Sequence, residues 1–185
     1  MEICIEKNFI TQEDAQKFID IINDIKLIDA DVQDRRVLRF GYDAFNGTSG
    51  ALETRKDVLE LLKPYIEKIE VLINNNFNHS KQVWGSTVWI SKQVAGTKIM
   101  PHIDTDGNKN WQYSHAAIIY LNTQDKGGEI YFPQINKELK PSLGDMILFE
   151  CRSLESKHGV RKTEQERYAI PIWFTDYEKN KLFKD

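Results

Sequence analysis

Apolar residues in the first third of the chain recur at helical spacing. Ala15, Phe18, Ile19, Ile22 and Ile25 fall three or four apart behind Thr11-Gln-Glu-Asp14, a group suited to an N-cap, so a helix with one buried face is expected there. The spacing returns from about Lys56 to Ile73. Val58, Leu61, Leu62, Tyr65, Ile66, Ile69 and Ile73 mark this second face, which should stop at Asn74-Asn75-Asn76. Pro64 has no amide hydrogen to give a helix interior, which predicts either a kink or a restart with Pro64 in a first turn. Between the helices, Val37–Tyr42 reads as a strand and Asp43–Ala51 as a turn-rich loop.

From Gln82 the pattern shortens to β-branched and aromatic runs at residues 83–90, 98–103, 116–121, 129–132, 146–149 and 168–174, separated by glycine, proline and asparagine. Repeated short strands with turn signals predict a sandwich or barrel. The expected fold is therefore α+β, a jelly-roll core with N-terminal helices packed on its outside. We expect a single domain over 1–185: mainly helical support over 1–80, the core over 81–176, and a tail over 177–185.

Composition narrows the options. A chain of 185 residues suits one core and so one active site. The formal charge of −3, with lysines and arginines scattered among acids, leaves no basic stripe for nucleic acid. No apolar run approaches the roughly 18 residues of a spanning helix. Met1-Glu-Ile-Cys-Ile-Glu-Lys7 lacks the basic-then-apolar layout of a signal peptide, so the expectation is a cytoplasmic protein without a membrane partner. Cys4 and Cys151 show no CxxC spacing and read as reduced structural cysteines.

The four histidines differ in their surroundings. His79, in Asn-Phe-Asn-His-Ser-Lys, reads as a solvated loop residue, and His115, opening His-Ala-Ala-Ile-Ile-Tyr-Leu, as an exposed strand end. His102 belongs to Pro101-His-Ile-Asp104 at the end of an expected strand, where side chains two apart share a face and can converge on one ion. His158, in Ser156-Lys-His-Gly-Val160, completes a set of two histidines and one carboxylate. That set suits non-haem iron(II) and leaves three positions open for a chelating 2-oxo acid and dioxygen. It also serves zinc, so a metal hydrolase stays a rival, as does a cupin-like binding module without catalysis. Arg167 opens the strand Tyr168-Ala-Ile-Pro-Ile-Trp-Phe174, and its planar fork suits a second carboxylate, to which Tyr120 can add a hydrogen bond.

These residues sit in an ordered series of motifs: Gly96-x-x-x-x-Pro-His-Ile-Asp104, Tyr120-Leu-Asn, Gly127-Gly-Glu-Ile-Tyr-Phe-Pro133, Leu143-Gly-Asp-Met-Ile-Leu-Phe149, His158-Gly-Val and Arg167-Tyr-Ala-Ile-Pro-Ile-Trp173. With the opening Ile5-Glu-Lys-Asn-Phe-Ile-Thr11, the whole chain resembles the prolyl 4-hydroxylase-like branch of the 2-oxoglutarate/iron(II) oxygenases. Arg-Tyr-Ala-Ile-x-x-Trp is closer to the oxygen-sensing and bacterial protein-prolyl hydroxylases than to collagen-type members, which usually carry lysine at the position of Arg167. The resemblance implies a double-stranded β-helix, iron(II) on His102, Asp104 and His158, and 2-oxoglutarate held by Arg167 and Tyr120. It also implies dioxygen as co-substrate, ascorbate as reductant, and conversion of 2-oxoglutarate to succinate and carbon dioxide. The implied substrate is a proline in a peptide or protein, with another protein side chain or a free amino acid as alternatives. Trp173 shares a strand face with Arg167, and Trp111 and Tyr113 precede the Tyr120 strand; these three are the expected substrate contacts. Gly127-Gly128 and Gly144-Asp145 read as tight turns.

Overall fold

A computed structural model describes residues 1–24, 30–31, 35–41, 55–77, 81–105 and 112–183. The two expected helices are present. Helix α1 (Gln12–Asn23) starts where Thr11 accepts a hydrogen bond from the Asp14 amide at 3.1 Å, and it buries Ala15, Phe18 and Ile22. Ile25 lies outside the described residues, as do Tyr42 and the loop 43–51.

Helix α2 (Lys56–Asn76) runs through Pro64 without a restart. Proline removes the bond to the carbonyl four residues earlier, and here both Pro64 and Glu60 face solvent, so water can donate to the Glu60 carbonyl in place of the missing amide. Its buried face also differs by one residue from the expected one. Leu59 is buried and Leu61 is 43 % exposed. At roughly 100° per residue, Val58, Leu62, Ile66, Ile69 and Ile73 centre a stripe that Leu59 flanks, whereas Leu61 falls about a quarter turn away.

Eleven strands lie among the described residues. A seven-stranded sheet has the order β1 (Ile3–Glu6), β9 (Met146–Glu150), β6 (Tyr113–Tyr120), β11 (Arg167–Thr175), β4 (Trp84–Gln93), β3 (Arg35–Gly41) and β2 (Ala30–Asp31). A four-stranded sheet has the order β5 (Ile99–His102), β10 (His158–Val160), β7 (Ile130–Phe132) and β8 (Lys137–Leu139). Every pairing is antiparallel.

The pleat divides the larger sheet into two faces. Val88, Ile90, Ala117, Ile119, Ile170, Ile172 and Phe174 join Phe18, Ile22, Leu62, Ile66 and Ile69 in one core beneath the helices. The alternate residues Ala116, Ile118, Tyr120, Ile147, Phe149 and Ala169 meet Ile130 and Phe132 of the smaller sheet in a second core. Helices thus cover the outside of a two-sheet sandwich, as the pattern requires. The first 80 residues supply more than helices, since β1, β2 and β3 extend the larger sheet at both edges. The turn glycines behave as expected: Gly127, Gly128 and Gly144 all have positive φ, and a side chain on Gly127 would collide with the Lys162 carbonyl.

Candidate active site

His102 closes β5, His158 opens β10, and the two stand directly opposite in the ladder with ring centroids 4.6 Å apart. Asp104 lies just past β5 in a turn that Thr105 pins by donating to the Cys151 carbonyl at 2.9 Å. One ligand atom from each of His102, Asp104 and His158 falls within 4.8 Å of the others, so the three can share one ion.

Local backbone sets the histidine tautomers. His102 Nδ1 lies 2.9 Å from the Met100 carbonyl, and His158 Nδ1 lies 2.9 Å from the Ser156 carbonyl. A carbonyl only accepts, so each Nδ1 carries the hydrogen and each Nε2 keeps its lone pair for a metal. His158 is packed between Phe149 and Phe132, with centroids at 5.0 and 5.7 Å. Burial pushes its imidazole below the ordinary value against the opposing charge of Asp104, which favours the neutral, ligating form. Burial also pushes the Asp104 carboxyl up, but His158, His102 and the Trp173 indole outweigh it and hold the group below the usual carboxylate range. Two imidazoles that present Nε2 and one anionic carboxylate fit iron(II).

A pocket runs from this cluster along β11. Arg167, Ala169, Pro171 and Trp173 line it together with Ser91 and Ala116. Side chains two apart on a strand share a face, which carries Arg167 and Trp173 to opposite ends of one wall. Arg167 is 4 % exposed and its guanidinium carbon sits 5.0 Å from the centre of the Tyr120 ring. Neither Arg167 Nε nor Tyr120 Oη has a hydrogen-bond partner among the described residues. Burial pushes the Tyr120 phenol up against the charge of Arg167, so it stays a neutral donor. A buried cation and a buried phenol with unmade bonds fit an anionic ligand.

Residues 88–175 match the family model described as the 2OG-Fe(II) oxygenase superfamily, a little under half of the chain and the part that holds the whole cluster. This stretch is similar to that superfamily. The chain is 30 % identical over 69 residues to a protein named putative prolyl 4-hydroxylase from Acanthamoeba polyphaga mimivirus, covering 33 % of this chain and 28 % of that one. It is 30 % identical over 109 residues to probable prolyl 4-hydroxylase 11 of Arabidopsis thaliana, covering 52 % of this chain and 38 % of that one. The aligned part is thus well under half the length of these relatives. Among solved structures, a viral collagen prolyl hydroxylase from Paramecium Bursaria Chlorella virus-1, in complex with 2OG, superposes with a TM-score of 0.74 at 15 % identity, covering 96 % of this chain and 97 % of that one. A prolyl hydroxylase from Trichoplax adhaerens, in complex with a hypoxia-inducible-factor peptide fragment, gives 0.70 at 16 % identity, covering 99 % and 87 %. At such identities the superpositions establish the fold, the double-stranded β-helix of the 2OG-Fe(II) oxygenases.

The other expected residues separate. Trp173 lines the pocket beside Asp104 and meets Trp89 edge-on at 4.9 Å. Tyr113 sits behind it, 5 % exposed, stacked on Trp173 at 5.9 Å, with its hydroxyl 2.8 Å from Thr87 Oγ1. Trp111 and His79 lie outside the described residues. His115 corrects an expectation. It is 1 % exposed rather than at a solvated strand end, because β6 begins two residues earlier and the C-terminal Phe77 beyond α2 covers it edge-on at 4.9 Å. The pattern alone does not single out Ser91, although polar residues at alternate positions of β4 were the available signal. Such alternation ordinarily marks a solvent face, and only the second sheet makes it an interior one.

Proposed function

We propose that this protein is a 2-oxoglutarate- and iron(II)-dependent dioxygenase that hydroxylates a peptidyl proline at C4. The observation that carries the reading is the presence in one pocket of the His102–Asp104–His158 set and, at the other end, a buried arginine with an unmade hydrogen bond. A metal hydrolase has no use for that arginine. The proline assignment draws on the names of the mimivirus and Arabidopsis relatives. A third relative, chicken prolyl 3-hydroxylase 1, 37 % identical over 67 residues, makes the ring position the point to measure.

When bound, iron(II) with 2-oxoglutarate and dioxygen supplies the oxidation, giving succinate, carbon dioxide and a hydroxylated C–H carbon. The chain's own residues do the rest. His102 and His158 present Nε2 because the Met100 and Ser156 carbonyls hold their Nδ1 hydrogens. Asp104 brings the negative charge that two neutral imidazoles lack. Arg167 takes the distal carboxylate of 2-oxoglutarate through its fork, and the Tyr120 hydroxyl donates to the same group. Ala116, Ile118 and Ala169 keep the wall between them apolar and exclude water. Trp173, beside Asp104, faces the substrate, and Tyr113 supports it from behind.

The test is anaerobic loading with iron(II) and 2-oxoglutarate followed by oxygen, with succinate measured with and without proline-containing peptides. Peptide-stimulated succinate and 4-hydroxyproline on hydrolysis of the product are expected. Absence of iron-dependent succinate would sink the oxygenase reading, and 3-hydroxyproline would overturn the choice of C4.

A further inference from the structure

A third buried polar atom accompanies the unmade bonds of Arg167 and Tyr120. The side-chain oxygen of Gln93 has no hydrogen-bond partner among the described residues, and the residue is 1 % exposed. Gln93 stands directly across from Arg167 in the β4–β11 ladder. Opposed residues of an antiparallel pair project to the same face of the sheet. Ser91, two residues before Gln93, lines the pocket, which places Gln93 on that face by a second route. Its amide orientation is fixed as well: Nε2 donates to the Thr97 carbonyl at 3.2 Å, leaving Oε1 as the acceptor.

A buried acceptor and a buried donor, Arg167 Nε, thus occupy opposed positions, each without a hydrogen-bond partner among the described residues. Buried polar groups are rarely left so, and these two complement each other. We infer that Gln93 is a positioning residue: its Oε1 accepts the Nε hydrogen of Arg167 when a 2-oxo dicarboxylate fills the pocket, turning the two terminal nitrogens of the fork toward the distal carboxylate. This rests on the role given to Arg167 above. Its consequence is selectivity. A 2-oxo monocarboxylate that reaches only the metal gains nothing from an oriented guanidinium, so Gln93 favours the dicarboxylate alone.

The experiment is calorimetry on the manganese(II)-loaded protein, titrated with 2-oxoglutarate and, separately, with 2-oxobutanoate. Gln93→Leu should weaken 2-oxoglutarate about tenfold, the scale of one charge-assisted hydrogen bond, while 2-oxobutanoate stays within about twofold. Gln93→Glu is nearly isosteric and puts a competing carboxylate on the guanidinium, so the loss should reach about a hundredfold, again without effect on 2-oxobutanoate. The retained 2-oxobutanoate affinity shows that a variant is folded, and if Gln93→Leu does not fold, Gln93→Glu decides. If both variants keep the parent's preference for 2-oxoglutarate while Arg167→Leu loses it, the inference about Gln93 is overturned and the reading of Arg167 stands. A parent protein with no preference between the two acids would overturn both.

Discussion

The metal end of the pocket hangs on strands of three and four residues, β10 and β5, whereas the anion end is set into β11 and β4, of nine and ten residues. The long strands are paired on both sides, and Arg167 is placed opposite Gln93 in the β4–β11 ladder of the larger sheet. The short ones hold their ligands by local ties instead: two carbonyls on imidazole nitrogens, Thr105 on Cys151, and the Phe132–Phe149 pair against His158. The lesson is that one end borrows its rigidity from the core of the fold and the other from individual contacts. Substitutions should therefore have different consequences at the two ends.

The largest effect belongs to a ligand itself. Asp104→Ala should lower succinate formation by at least about a thousandfold and abolish tight manganese binding, yet leave the far-ultraviolet circular dichroism intact, since the fold does not hang on this turn. Loss of the folded signal would show that the metal end is structural after all. Next come the two cores. Phe149→Ala and Phe174→Ala each remove a fully buried ring and should each cost about 3–5 kcal/mol in chemical denaturation. Only Phe149→Ala should also weaken metal binding, because Phe149 packs on His158 and Phe174 lies in the core beneath the helices. Equal metal affinity in the two variants would erase the proposed distinction.

At the anion end, Arg167→Ala should raise the KM for 2-oxoglutarate by about 10- to 100-fold, as expected for a charged hydrogen-bonding group worth about 1.5–3 kcal/mol. Metal affinity should not change; if it fell in step, the two ends would not be separable. The smallest effect is electrostatic. Arg152 donates to both oxygens of Asp176, at 2.8 and 2.6 Å, and to the Tyr113 carbonyl at 3.0 Å, joining the end of β11 to the start of β6. This bond to Arg152 holds the Asp176 carboxyl below its ordinary value of 3.8. A group with a depressed folded pKa binds fewer protons folded than unfolded, so its stabilisation is present above about pH 4 and is lost as pH falls through the folded value. Arg152→Gln should flatten this acid limb of the melting-temperature profile and leave metal affinity alone.

Much of the site was legible before folding was considered. The His-x-Asp pair, the later histidine and the strand-opening arginine are spaced by the strands that carry them, and period-two alternation places Arg167 and Trp173 on one wall. Other features were not. The strands β8 and β10 are three residues each, too short for a pattern, and β10 contains Gly159, whose bare backbone lets the Tyr131 ring and the Ile99 carbonyl approach. His115 reads as exposed because nothing in its own segment announces Phe77, a residue far away in sequence. Leu59 replaces Leu61 on the buried face of α2 because the centre of a helical stripe is set by what it packs against as well as by spacing.

The local elements, the candidate metal-ligating set and the candidate counter-charge can all be read along the chain, because helix and strand periodicities and ligand chemistry act over a few residues. Three features came from the packing of the sheets: His102 and His158 face each other across two strands, polar residues of β4 point inward, and Tyr113 lies behind Trp173 rather than in the pocket. Each of those depends on which sheet covers which face, and that follows from burying two apolar surfaces at once, a condition no single segment can express.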